Sequence, residues 1–117
     1  MYNLIKIIQD ANPKRAVANL SRRVIKLGEE LGETCEAYLY VTTEEPRKEL
    51  TWEDFREEAI DTAIVGIDLA LTKLPIDEDK TPEEIEREVI EVFEQKLNKW
   101  RRQLERGQDA TQREKHV

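Results

Sequence analysis

The sequence predicts an all-α protein of four helices. Apolar residues recur at helical spacing along four stretches, and two of these stretches open with helix-capping signals. Four Gly and four Pro among 117 residues are also too few for the many tight turns of an all-β fold. The length is that of one ordinary domain.

The first helix is expected over residues 2–10, with Leu4, Ile5, Ile7 and Ile8 as its apolar residues, and Asn12-Pro13 ends it. The second runs from about Ala16 to Tyr40. Its residues Leu20, Val24, Leu27, Leu31, Cys35 and Tyr38 step by +4, +3, +4, +4 and +3, a stripe centred near Leu31. Residues 42–50 form a loop containing Glu44, Glu45 and Pro46. Thr51 then reads as an N-cap with Asp54 completing a capping box, and the third helix continues through Leu74 to stop at Pro75. Its run from Ala59 to Leu71 is apolar almost all round, which predicts a buried central helix.

Ile76 to Lys80 is a short loop. Thr81-Pro82-Glu83-Glu84 starts the fourth helix, with a capping Thr, Pro at the first helical position and acids in the first turn. Ile85, Val89, Phe93, Leu97, Trp100 and Leu104 share one face of it. Asp77 to Glu91 holds eight acids and two bases, whereas Lys96 to Arg106 holds five bases and one acid, matching the helix macrodipole. Gly107 is expected to end this helix. One domain over residues 1–106 and a disordered tail over 107–117 complete the expected organisation.

Composition narrows function. Hydrophobic and charged residues each make up 38% of the chain, and the net charge is −7. So acidic a chain is a poor partner for a nucleic-acid polymer, whose phosphate backbone demands dense positive charge. No apolar run is long enough to span a membrane. Cys35 is the single cysteine and cannot form an internal disulfide, which points to the reducing cytoplasm. The single histidine, His116, is the penultimate residue, so Ser-His-Asp, Cys-His and multi-His metal chemistry are close to excluded. Carboxylates, cations and metal ions remain.

Three features stand out from a plain bundle. Lys26, Glu30, Glu33 and Ala37 fall within an arc of about 60° on the flank of the second helix; in an acidic chain a solvated face is the ordinary reason for such a group. The third helix carries Glu58, Asp61 and Asp68 within or beside its apolar run. Burying an ionised carboxylate costs several kcal/mol unless it pairs with a cation or binds a metal. Pairing with Arg or Lys of a neighbouring helix explains Asp68 as readily as function does. Two acids one turn apart on one helix, facing two on another, would make an all-oxygen cage suited to Mg2+ or Mn2+ and not to Zn2+. Lastly, Lys96 lies within the apolar stripe of the fourth helix with Lys99 one turn away. Either its stem snorkels or it offers a cation to an anionic ligand. Carboxylate-bridged di-iron bundles need Glu-x-x-His pairs, and the chain has none.

Glu29-Glu30-Leu31-Gly32-Glu33, followed after 24 residues by Glu58-Ala59-Ile60-Asp61, resembles the EExxE…ExxD signature of MazG-type all-α nucleoside triphosphate pyrophosphohydrolases. Lys26 to Glu33 is similar to the family's KLxEExGE segment, and the resemblance covers roughly Val24 to Trp100. It implies a four-helix MazG-like bundle assembled as a homodimer or homotetramer, with adjacent subunits completing each site. The implied activity is Mg2+-dependent cleavage of a nucleoside triphosphate between the α- and β-phosphates. Carried over by position, Glu30, Glu33, Glu58 and Asp61 are the metal ligands, and Glu29 and Glu33 the catalytic carboxylates. Lys26, Lys96 and Lys99 are the substrate-binding cations. The Cys-Pro-Trp-Asp segment that precedes the first motif in many full-length members is absent, so the resemblance carries no base preference. Asn12 and Asn19 are candidates for reading the base. The related alternative is a phosphoribosyl-ATP or dUTP pyrophosphohydrolase of the same superfamily. The rival from another class is a non-enzymatic helical interaction module whose acids only solubilise it.

Overall fold

The computed structural model describes residues 2–11, 20–43 and 49–115. Among the described residues there are four α-helices and no strand: α1 (Tyr2–Ala11), α2 (Leu20–Thr42), α3 (Trp52–Ala70) and α4 (Pro82–Lys115), with a 3-10 turn at Pro75–Asp77. None of these helices is long and apolar enough to cross a membrane. Asn12, Asn19 and the expected start of the second helix at Ala16 lie outside the described residues.

Both expected caps form. The Thr51 hydroxyl accepts from the Asp54 N–H at 3.2 Å while Asp54 Oδ2 accepts from the Thr51 N–H at 2.8 Å. At α4, Thr81 Oγ1 accepts from the Glu84 N–H at 3.2 Å. These bonds satisfy amide donors that a helix start otherwise leaves without partners.

Beyond shifts of one or two residues at the ends of α1 and α2, three features differ from the sequence reading. The α-helix of α3 ends at Ala70, not at Leu74. Leu74 precedes a proline and takes an extended conformation, ψ 166°, because the proline ring crowds an α-conformation there. The Ile76–Lys80 stretch is also more ordered than a plain loop. Asp77 is buried, accepts from the Leu74 N–H at 3.0 Å and from Lys80 Nζ at 3.0 Å, and Lys80 reaches Glu88 at 2.8 Å. Finally, α4 runs through Gly107 to Lys115. Glycine in a helix interior costs only about 1 kcal/mol, and Gln108, Ala110, Gln112, Arg113, Glu114 and Lys115 include good helix formers that carry the helix past it.

The packing has two parts. Ile5 and Ile8 of α1 and Leu71 form the buried core, with Ile67, Val89, Ile90 and Phe93 packed around it. Gln9 ties α1 to α4 by donating to the Pro82 carbonyl at 3.2 Å. Separately, α2 and α3 lie against each other as an antiparallel hairpin, the most extensive helix pairing among the described residues. The rings of Tyr38, Trp52 and Phe55 meet beside it at centroid distances of 6.3, 6.0 and 5.8 Å.

The expectation of a buried central helix is overturned. No residue of α3 is fully buried, and Ile60 and Ile64 face outward, because α2 covers one side of α3 and α1 only its C-terminal end. The stripe of α2 is likewise not the face that α3 covers. The buried residues of α2 are Glu30 and Ala37, on the flank of the stripe, while Val24, Leu31 and Tyr38 stay exposed. The chain is extended overall: its radius of gyration is 18.4 Å, against about 13 Å for a compact domain of similar length.

Candidate functional site: a carboxylate cluster between two helices

The register of α2 on α3 is set by polar contacts across the seam. Thr34 Oγ1 and Thr62 Oγ1 are 2.9 Å apart. Each also reaches back to a carbonyl of its own helix, Thr34 to Glu30 at 2.9 Å and Thr62 to Glu58 at 3.0 Å. At the other end of the hairpin, Arg23 donates to the buried hydroxyl of Thr72 and pairs with Asp68 at 3.9 Å. Asp68 is therefore held by a cation of the neighbouring helix, the pairing alternative weighed for it from the sequence.

This register brings carboxylates together. Glu30, Glu33 and Glu58 each present an oxygen within 4.8 Å of the others. Glu30 and Glu33 come from successive turns of α2, and Glu58 faces them from α3. The Glu30 side chain keeps only 9% of its surface exposed; its Oε1 accepts from Lys26 Nζ at 2.9 Å. The second oxygens of Glu30 and Glu58 are buried with no hydrogen-bond partner among the described residues. Leaving such atoms without partners is costly.

Electrostatics reflect the crowding. Burial pushes the Glu58 carboxyl above its usual value, and a hydrogen bond with Glu33 and the charges of Glu33, Asp61 and Glu30 push it the same way. Carboxylates this close repel one another, and a positive charge placed among them would relieve that repulsion. The hydrogen bond and charge of Glu30, in turn, raise the Lys26 ammonium.

The other predicted residues are placed as follows. Asp61 is exposed one turn beyond Glu58, close enough to act on it electrostatically but outside the group of three. Glu29 is exposed and lies 4.0 Å from Lys26 Nζ. Lys26 is therefore the predicted substrate-binding cation that stands at the carboxylates. Lys96 and Lys99 are exposed on α4, and Lys96 lines a different, mainly apolar cavity of about 420 Å³ with Leu74, Ile85, Val89 and Phe93. Within one chain the structure does not bring these two lysines to the carboxylate cluster.

The carboxylates open onto a cleft of about 400 Å³ lined by Glu33, Glu36, Ala37, Leu50, Asp54 and Glu58. The sequence reading does not include Glu36 and names Asp54 only as a helix cap. The signal was present in the spacing, since Glu36 lies one turn after Glu33 and Asp54 one turn before Glu58.

The donor set fits a hard divalent cation. All its atoms are carboxylate oxygens, and the two buried oxygens without partners are what such an ion would satisfy. No family model matches this chain, and neither a curated protein nor a solved structure matches it.

Proposed function

We propose that the chain is a Mg2+-dependent nucleoside triphosphate pyrophosphohydrolase, a four-helix MazG-like bundle working as a homodimer or homotetramer. It would split a (d)NTP between the α- and β-phosphates into a nucleoside monophosphate and pyrophosphate. The observation that carries this reading is the convergence of Glu30, Glu33 and Glu58, drawn from the two halves of the EExxE…ExxD pattern, on one point with two buried oxygens lacking partners.

Glu30, Glu33 and Glu58 would hold the ion, with the exposed Asp61 one turn beyond Glu58. Bound Mg2+, or Mn2+ in its place, supplies local positive charge and polarises the phosphoryl oxygens. Without it a chain of net charge −7 repels a triphosphate of about four negative charges. Lys26 reaches the substrate from the same rim. An exposed oxygen of Glu33 or Glu29 takes the proton of the water that attacks phosphorus, and pyrophosphate leaves. No histidine or serine nucleophile is needed, in keeping with a chain whose single histidine is His116.

The test is a panel of (d)NTPs, phosphoribosyl-ATP included, assayed for pyrophosphate release with Mg2+ and with chelator. Release from at least one nucleotide, dependent on the ion and lost in Glu58→Gln, is expected. If no nucleotide is cleaved and Mg2+ leaves the melting temperature unchanged, the interaction-module reading takes its place.

A further inference from the structure

The outer edge of the α2 stripe is uncovered, whereas Leu20 and Leu27 on its other edge are half-buried. Val24, Leu31 and Tyr38 keep 52%, 54% and 50% of their surface exposed, and between them lie Gly28 and the exposed Cys35. From Ser21 to Tyr38 this ridge, Ser21, Val24, Gly28, Leu31, Cys35 and Tyr38, carries no charge in a chain of which 38% is charged.

The steps along the ridge alternate between three and four residues, the spacing of a coiled-coil seam. Residue size alternates in phase with it. Ser21, Gly28 and Cys35 are small, and the residues between them, Val24, Leu31 and Tyr38, are large. We propose that this face is an isologous interface with a second copy of the chain, in which the two α2 helices pack antiparallel about a two-fold axis passing between Glu29 and Glu30.

That register is self-complementary. It sets Leu31 over Gly28 of the second copy, Val24 over Cys35 and Tyr38 over Ser21, so that every large side chain meets a small one and every contact occurs twice. A parallel pairing would set large on large and glycine on glycine. An added Cβ at Gly28 meets nothing within 4 Å inside the chain. The bare glycine therefore serves no packing within the monomer, whereas it admits a knob from a second helix.

The inference deepens the homo-oligomer part of the proposed function and does not depend on the hydrolytic part. Two variants of the full chain test it. Gly28→Leu fills the hole that Leu31 of the second copy needs while improving helix propensity, so it is expected to keep its helical circular dichroism. Its assembly mass by sedimentation at micromolar concentration should halve. Val24→Cys is expected to form a covalent dimer with the native Cys35 on mild oxidation, reversed by reductant and lost when Cys35 is also changed to Ser. Wild type should give no such product. A wild-type monomer overturns this interface together with the homo-oligomer reading. An oligomer whose mass survives Gly28→Leu, or in which Val24→Cys gives no covalent dimer, overturns the α2 pairing alone.

Discussion

The hydroxyls of Thr34 and Thr62 lie 2.9 Å apart across the α2–α3 seam, one turn beyond Glu30 and Glu58. Each hydroxyl has one proton, and together with the back-bonds to the Glu30 and Glu58 carbonyls they make three contacts. Two protons serve three contacts, so one is shared, and the pair acts as a single unit that fixes helix register beside the carboxylates. Thr34→Val and Thr62→Val should each cost about 1 kcal/mol. The double variant should cost less than their sum by about 0.5–1 kcal/mol in urea unfolding. Strictly additive losses would show that the two hydroxyls do not act on each other.

Glu58 governs the pH response of the metal-free cluster. Its carboxyl is raised by burial, by Glu33 and by neighbouring negative charge. The folded state thus holds this proton more tightly than the unfolded chain does. The stabilisation is full below the usual value of 4.5 and is lost as pH rises through the raised value. Glu58→Gln should therefore melt above the metal-free wild type at pH 7, with the gain shrinking toward pH 4. Stabilisation by Mg2+ should vanish in the same variant. A metal-free Glu58→Gln protein that melts below wild type at pH 7 would contradict crowding as the dominant effect.

Lys26 yields a prediction with two opposite signs. Its ammonium is 2.9 Å from Glu30 Oε1 and competes with any cation for that oxygen. Lys26→Ala should tighten Mg2+ binding several-fold, because the cluster becomes more negative. It should also raise KM for the nucleotide, because an anion-directed cation is gone. Calorimetric titration with Mg2+ and steady-state kinetics read the two effects separately. Movement of both in the same direction would mean that Lys26 does not reach the substrate.

The Asp77 staple at the entry to α4 should show acid lability. Burial opposes its ionisation, but the Leu74 N–H and the Lys80 ammonium outweigh it and hold the carboxyl below the usual 3.8. Its contribution is full above that value and is lost as pH falls through the lowered one. Asp77→Ala should cost about 1–2 kcal/mol at pH 7, the range for removing a buried cap. The difference between variant and wild type should narrow below pH 4, as followed by circular dichroism.

Local chemistry written along the chain was enough to determine that four helices form and where α3 and α4 are capped at their starts. Thr51 with Asp54, and Thr81 with Glu84, bond as their spacing demands, because a cap involves only residues three apart. The carboxylate pairs were legible for the same reason, since Glu30 with Glu33 and Glu58 with Asp61 are neighbours on any helix. Which faces meet was a matter of tertiary packing. The α2 stripe centred on Leu31 has the periodicity of a core face, yet α3 packs on its flank, where Ala37 is buried, Thr34 meets Thr62, and Arg23 meets Asp68 and Thr72. Hydrophobic periodicity says that a face needs cover but not which element supplies it, because burial is non-directional whereas polar contacts across a seam fix one register. The same limit separates Lys96 from the carboxylates. Its place on α4 was legible, but α4 packs mainly on α1, and that choice sets its ammonium on another cavity.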